Sequence, residues 1–317
     1  MGYKFAQNFE ASNPSDDQHA YRCHRQAVDA AMLKLLTMEC ARLTYTTMAA
    51  MQFDSKACFD RIMREETNTH AYRLNVDKAL LEARSMIKDR LERRVQTAHG
   101  VSDKIYKHNP GEPRLDGEVQ GSGDVPPCFN AQCDIILKVH DEIAPGLCIE
   151  NPTQSRRIKR NNICYADDND GNTSADRNSA NPIREAVTKL GISAQIWNDL
   201  VNFGGGGIAL HKCKWQLIAW EYLHGKLQMV KATKEKVIMK DHKGIAAVIQ
   251  FAGPDEPNEG LGFLLCPNGS KGPQFEKTYL AIETLCKSVA GAQLTETEAR
   301  VALYQRLIPK LTYPLPH

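Results

Sequence analysis

The chain has 317 residues, of which 42% are hydrophobic and 25% are charged. This composition is ordinary for a globular protein and excludes a disordered or fibrous one. Forty Lys and Arg residues against 38 Asp and Glu residues give a net charge of +2, which neither requires nor excludes a polyanionic partner. At about 150 residues per domain, the length predicts one large domain or two modest ones.

The cysteines are ten in number and spread along the chain without a CxxC pair, which favours reduced thiols over disulfides. His19, Cys23 and His24 are close in sequence but lack the second ligand pair of a tetrahedral zinc site. Residues 1–20 contain no apolar segment, and no window of about 18–20 apolar residues occurs. We therefore expect neither a signal peptide nor a membrane-spanning helix, and an intracellular location, with nucleus or cytoplasm left open.

In chain order, residues 1–18 are polar and are expected to form a disordered lead-in. Apolar residues at helical spacing predict helices over 26–45 and 75–99, with a short strand over 48–53 between them. The second helix is expected to bury one set of residues, namely Leu80, Leu81, Met86, Ile87 and Leu91. Its outer, solvated face is expected to carry Arg84, Lys88, Arg90, Arg93 and Arg94.

The second half of the chain alternates polar segments with apolar runs. Residues 103–127 are rich in turn residues, helices are predicted over 129–143 and 182–202, and the polar segment 150–182 contains one apolar patch at 163–165. Short apolar runs between 213 and 266 predict strands. Two helices follow, the last beginning with Thr295 and Glu298 at capping-box spacing. This order of elements predicts an α+β protein with an antiparallel sheet.

Two acidic positions each follow a short apolar strand. Asp54 follows the first strand, and Asp167 and Asp168 follow the patch at 163–165. Carboxylates fixed at strand ends are suited to binding hard cations. If the two strands are neighbours, Asp54 lies next to Asp167, and the pair could hold two Mg²⁺ ions about 3.5–4 Å apart for an in-line nucleotidyl transfer.

These acidic and glycine-rich segments also have simpler interpretations. An acidic run in a polar loop is usually solvated. A calcium-binding loop aligned on Gly171 fails, because Ala166 and Arg177 then occupy positions that require carboxylates. The glycine run 204–207 is not a phosphate-binding loop, since no Gly-Lys-Ser/Thr follows it.

Six short segments occur in an order and at spacings that point to one family. They are YRCHRQA at 21–27, FDSKACFDRI at 53–62, VQG at 119–121 followed by Pro126, YADD at 165–168, GGGGIALHK at 204–212 and LG at 261–262. Together they resemble the last fingers motif and the five palm motifs of the reverse transcriptase (RNA-directed DNA polymerase) domain of non-LTR retroelements. The resemblance covers about residues 20–266 and is carried by the combination of motifs rather than by any one of them.

The resemblance implies a fold, an activity and a set of partners. It implies a polymerase palm, with an antiparallel sheet flanked by helices and partial fingers, over residues 19–266, and a helical thumb-like segment over 267–317. The implied reaction is two-metal nucleotidyl transfer onto a primer 3′-hydroxyl, with Mg²⁺ as cofactor. The implied partners are an RNA template, a DNA primer and deoxynucleoside triphosphates.

By the resemblance, Asp54, Asp167 and Asp168 are the catalytic, metal-binding residues, with Asp168 as a supporting carboxylate beside the other two. The implied nucleotide-binding residues are Phe59, Gln120, Gly121, Lys212, Arg22 and Arg25. Phe59 would stand against the sugar 2′ position or be a core residue, and Lys212 would approach the leaving phosphates or be a surface lysine. The two arginines would contact triphosphate or template, or lie on the fingers surface, and the basic helix face 84–94 would follow a nucleic-acid backbone.

The chain departs from the family pattern in several places. Val125 replaces the Ser of the second motif, and Asp124 adds a negative charge before it. The segment after Asp168 is polar where an apolar strand is usual, which is expected to weaken the hairpin that presents Asp167. Relative to the family, the fingers are truncated and the thumb is incomplete. Two functions therefore stay open: an active RNA-directed DNA polymerase, or a catalytically inactive remnant or repurposed palm-like nucleic-acid-binding protein.

Overall fold

A computed structural model describes residues 2–56, 61, 63–92, 94, 96–98, 100–105, 125–151, 153 and 155–309. The helices are α1 (Gly2–Ala11), α2 (Ala27–Leu43), α3 (Arg64–Arg73), α4 (Lys78–Asp89), α5 (Val125–Ile143), α6 (Pro182–Phe203), α7 (Gly272–Gly291) and α8 (Glu296–Ala302). The strands are β1 (Met48–Phe53), β2 (Gln96–Thr97), β3 (Gly100–Val101), β4 (Leu147–Glu150), β5 (Arg157–Arg160), β6 (Asn162–Tyr165), β7 (Asp168–Ser174), β8 (Lys214–Ile218), β9 (Trp220–Leu223), β10 (Lys226–Met229), β11 (Ile238–Lys240), β12 (Ala246–Val248), β13 (Gln250–Ala252), β14 (Asn258–Gly260) and β15 (Phe263–Leu265).

The central sheet has five strands in the order β13-β8-β1-β7-β6, and every pair is antiparallel except β13 with β8. Side chains alternate across β1, as a strand requires. Ala49, Met51 and Phe53 pack into the main core with α6 and β8, whereas Met48 packs with α2 and β4 on the other face. The expected α+β class with an antiparallel sheet is confirmed.

Strand β7 lies between β1 and β6 and is buried along most of its length although it is polar. The expectation that a polar segment here would weaken the hairpin was wrong, because its side chains have hydrogen-bond partners. Thr173 donates to the Ala186 carbonyl at 3.0 Å, and Ser174 donates to the Cys148 carbonyl at 3.1 Å. Buried polar groups that are hydrogen-bonded in this way do not carry the usual cost of burial.

The N-terminal segment is ordered, contrary to the expectation of a disordered lead-in. In α1, Phe5 and Phe9 lie four residues apart on one side of the helix, and each is only 2% exposed. They pack with apolar residues of α4 and α5. Further along, the Ser15 N–H donates to the Asp134 carboxylate of α5. Burial of these two phenylalanines stabilises the segment, although its overall composition is polar.

The helix predicted over 75–99 spans Lys78–Asp89, and Leu81 is buried as expected, but most of the other residues assigned to its two faces are exchanged. Arg84 and Lys88 are buried, at 5% and 9% exposure, while Met86 and Ile87 are exposed. Arg84 can be buried because it donates to Asn68 and to Cys128 Sγ. Of the five basic residues predicted to form the outer face, Arg90 and Arg94, just after the end of α4, are exposed. Arg93 lies outside the described residues.

The C-terminal part is helical as expected up to residue 309, beyond which the chain lies outside the described residues. The predicted capping box at the start of α8 is present, with the Thr295 N–H donating to the Glu298 carboxylate at 2.8 Å. A π-helical turn, Leu303–Leu307, follows α8. Across the described residues, no helix combines the length and the apolar composition needed to cross a membrane. The nine cysteines that can be described are all free thiols.

Candidate active site

Asp54 and Asp167 lie at the same edge of the central sheet. Strand β1 ends at Phe53, which pairs with Asn169 of β7, and Tyr165 pairs with Asp168 across the β6–β7 hairpin. Ala166 and Asp167 therefore form the two-residue turn of the hairpin, directly beside the end of β1. The Ser55 hydroxyl donates to the Asp167 carbonyl at 3.3 Å and joins the two chain segments.

The segment after β1 pairs with the glycine-rich loop 204–207 and the residues that follow it. The Lys56 N–H donates to the Gly207 carbonyl, and the Ala209 N–H donates to the Asp54 carbonyl, each at 2.8 Å. Gly205 has φ +79°, and a Cβ there would lie 2.7 Å from Met63 Cγ, so this position requires glycine. The backbone of this loop and of the residues after it thus holds the segment around Asp54 in place through main-chain hydrogen bonds, and the loop is not a phosphate-binding loop.

Lys212, which was expected to approach the leaving phosphates or to be a surface lysine, lies beside Asp54. Its Nζ lies 3.7 Å from Asp54 Oδ1, and both side chains are about half exposed. Lys56 and Arg61, which sequence reasoning did not single out, lie close to the same loop, within 3.7 Å of where a Cβ of Gly207 would be. The sequence feature that could have identified them is their position within the first palm-like motif, at residues 53–62. Together these residues put three cations around the edge that carries Asp54.

A small cavity of about 60 Å³ lies behind the hairpin turn. Its lining includes Lys56, Arg61 and Asp167, together with glycine-loop residues and the side chains of α5 and α6 that face the sheet. Val125 is 3% exposed and packs with Phe129, with Ala166 against the pair. The Val that replaces the family's Ser therefore supports the hairpin turn from behind through apolar contact.

Asp168 faces the fifth motif. Leu261 and Gly262 form the turn between β14 and β15, with φ +56° and +81°. Burial raises the pKa of Asp168, and the nearby Asp167 and Asp170 raise it further, whereas Lys34 and the Leu261 N–H lower it. The carboxylate is thus held within the protein by the fifth motif.

A buried ion pair lies beneath this carboxylate. Lys34 of α2 binds Asp170 at 2.7 Å, and both side chains are largely buried. Lys34 is also one of the charges that lower the pKa of Asp168.

Arg22 and Arg25 are both in ion pairs with the N-terminal segment. Arg22 is 7% exposed at its side chain and binds Glu10 at 3.1 Å, and Arg25 binds Asp16. The hydrogen bond from Arg25 lowers the pKa of Asp16. The two arginines fasten residues 10–16 to the rest of the protein. Three other predicted nucleotide-binding residues, Phe59, Gln120 and Gly121, lie outside the described residues.

Whether this edge of the sheet is suited to a metal ion depends on the donor atoms that its side chains supply. Within the described part of the chain, no three His, Cys, Asp or Glu side chains lie together as a metal-binding group. Asp54 and Asp167 supply hard carboxylate oxygens at one edge. Mg²⁺ is commonly held by one or two carboxylates together with waters and substrate phosphates, and this pair fits that chemistry.

No protein-family model and no curated protein matches the chain. Two solved structures of telomerase from Candida tropicalis are similar to it. The apo enzyme truncated from its C-terminal domain has a TM-score of 0.41 and 11% identity, over 77% of this chain and 44% of that one. The enzyme in complex with the TWJ fragment of telomeric RNA has a TM-score of 0.41 and 12% identity, over 89% of this chain and 40% of that one. The chain therefore spans less than half the length of either structure.

Proposed function

We propose that the chain is an RNA-directed DNA polymerase of non-LTR retroelement type, which adds deoxynucleotides to a DNA primer on an RNA template. The observation that carries the proposal is the strand register that brings Asp54 and Asp167 to one edge, joined by the Ser55–Asp167 hydrogen bond. On this proposal, the sheet with α2, α5 and α6 is the polymerase palm, and the helices after residue 267 are the thumb-like part.

The proposed chemistry divides between the ion and the chain. Bound Mg²⁺ would lower the barrier to attack by the primer 3′-hydroxyl and neutralise charge on the triphosphate. Asp54 and Asp167 would hold it at the sheet edge. Lys56, Arg61 and Lys212 are the cations placed to attract the triphosphate and to stabilise charge that develops on the leaving phosphates.

The nucleotide pocket is completed by residues assigned through the motif resemblance. Phe59 would stand against the sugar, and Gln120 and Gly121 would line the base side of the pocket. Asp168, which follows Asp167 directly, would support the metal site through its charge, and its carboxylate accepts the Leu261 N–H.

Primer extension on an RNA template with Mg²⁺ and deoxynucleotides tests the proposal. We expect the native chain to extend the primer and Asp167→Asn to do so at least about 100-fold more slowly, because a lost electrostatic contact to the reacting group costs that order of rate. Asp176→Asn is the matched control, since this exposed aspartate lies beyond the opposite end of β7. Equal extension by Asp167→Asn and the native chain would refute the proposal.

The second candidate is a non-catalytic palm-like protein that binds nucleic acid. The Lys212–Asp54 ion pair favours it, because the lysine ammonium competes with a metal ion for that carboxylate. This candidate predicts that a folded chain binds an RNA–DNA duplex in a salt-sensitive manner and gives no extension. Extension that depends on Asp167 would exclude it.

A further inference from the structure

The hairpin turn that presents Asp167 is held by a glutamine from the N-terminal segment. Gln18 is 2% exposed, and its Oε1 accepts the Ala166 N–H at 3.2 Å and the Ala20 N–H at 3.0 Å. Its Nε2 lies 3.5 Å from the Ala166 carbonyl oxygen. Both backbone polar groups of Ala166 thus face one amide side chain.

The contact matters because Ala166 has an unfavourable backbone conformation. Its φ is +55°, in the left-handed region that L-residues other than Gly, Asn and Asp rarely adopt. Such a conformation persists only where surrounding contacts fix it. An amide carries both a donor and an acceptor, so Gln18 can fix the N–H and the carbonyl of the same residue.

Gln18 itself is held in place from both sides. The Cys164 N–H donates to the Asp17 carbonyl at 2.7 Å, and the His19 N–H donates to the Cys164 carbonyl at 2.9 Å, so residues 17–19 run parallel to the free edge of β6. Asn130 of α5 donates to the Ala20 carbonyl at 2.9 Å. The side chain therefore meets the turn from a fixed backbone.

We propose that Gln18 is a positioning residue of the candidate active site. It fixes the left-handed conformation of Ala166 and thereby the direction in which the next residue, Asp167, presents its carboxylate. The inference rests on the polymerase function proposed above, and it makes the N-terminal segment a working part of the site.

The test compares Gln18→Leu and Gln18→Glu with a matched control, Gln216→Leu. Gln216 in β8 is equally buried, at 3%, and its amide donates to the Glu256 carbonyl at 3.0 Å away from the turn. We expect Gln18→Leu to lower kcat for single-nucleotide addition by about 10- to 100-fold while KM for the nucleotide changes little, because a misdirected carboxylate impairs the chemical step. Gln18→Glu retains the acceptor but, when ionised, not the donor, and should recover part of the rate.

Amide hydrogen exchange in residues 164–168 gives a readout that needs no activity. We expect faster exchange in Gln18→Leu and native exchange in Gln216→Leu. Native kcat in Gln18→Leu, an equal loss of kcat in Gln216→Leu, or unchanged exchange in the hairpin would each overturn the inference.

If neither the native chain nor any variant extends a primer, the polymerase proposal fails separately. The exchange data then decide the Gln18 contact alone: faster hairpin exchange only in Gln18→Leu supports it, and unchanged exchange overturns it.

Discussion

Substitution of Gly171 by Ala should strain the packing between β7 and the core. A Cβ at this position would lie 2.8 Å from Cε2 of Phe53, whereas non-bonded carbon atoms pack at about 3.5–4.0 Å. The Phe53 ring would have to move by about 0.7 Å, from 3.5 minus 2.8. It has little room, since it is 2% exposed and its centroid lies 6.1 Å from that of Trp197. Overpacking of this kind costs about 1–3 kcal/mol of unfolding free energy.

Urea denaturation of a double-mutant cycle measures this effect. Phe53→Leu removes the ring atoms that the new methyl group would meet, at the cost of its own lost packing. The double variant Gly171→Ala with Phe53→Leu should therefore be more stable than the sum of the two single changes predicts, by about 1 kcal/mol.

Gly191→Ala serves as the control for the added methyl group. Gly191 lies within α6, and beyond its chain neighbours and the nearby helix backbone no atom lies within 4 Å of where its Cβ would be. Ala is about 0.5–1 kcal/mol more favourable than Gly in a helix interior, so this variant should be stabilised. Native stability in Gly171→Ala, or strict additivity in the cycle, would refute the packing argument.

Two further predictions concern buried charges. Lys34→Met should lower the unfolding free energy by about 3–5 kcal/mol, because it leaves the buried Asp170 carboxylate without its partner. Adding Asp170→Asn should recover part of this loss in the same denaturation assay, and no recovery would contradict the pairing. Burial raises the pKa of Asp17 from its ordinary value of 3.8 to about 7, although Arg160 lies 2.7 Å away. Between these two pH values, Asp17 is therefore mostly protonated in the folded chain and mostly ionised in the unfolded chain. The free energy of unfolding should thus fall as the pH rises from 3.8 to about 7. In Asp17→Asn, thermal unfolding should show a smaller fall over the same range. His19, whose pKa burial lowers to about 4 from 6.5, acts in the opposite direction, so the comparison is clearest between pH 6.5 and 7.5. An unchanged pH profile in Asp17→Asn would argue against the raised pKa.

The local sequence pattern was sufficient to predict an element when the residues that favour it lie within that element. The strand that ends before Asp54, the bounds of α6 and the capping box at Thr295 were all predicted from neighbouring side chains and are present. These features depend on the period of apolar residues and on contacts three or four residues apart. The carboxylates at two strand ends also suggested that Asp54 and Asp167 would meet if β1 and β6 were neighbours. Strand β7 lies between these two strands, and the turn between β6 and β7 brings Asp167 to the end of β1.

Burial of polar side chains was decided only by the tertiary structure. Apolar periodicity treats Thr173 and Lys34 as surface residues, yet each is buried with a partner from a distant part of the chain, Ala49 for Thr173 and Asp170 for Lys34. The same limit explains the burial of Arg84 in α4, which was expected on the solvated face but donates to Asn68 and Cys128.

The N-terminal segment shows the same division most clearly. Its polar composition predicted disorder, but Phe5 and Phe9 pack into a core formed with residues of α3, α4 and α5, and Gln18 contacts a backbone turn 148 residues away. The sequence by itself determined many of the local elements and pointed to the residues that we propose for the chemistry. The tertiary structure decided which polar groups are buried, because a hydrogen bond offsets the cost of desolvation only when the fold brings both partners together.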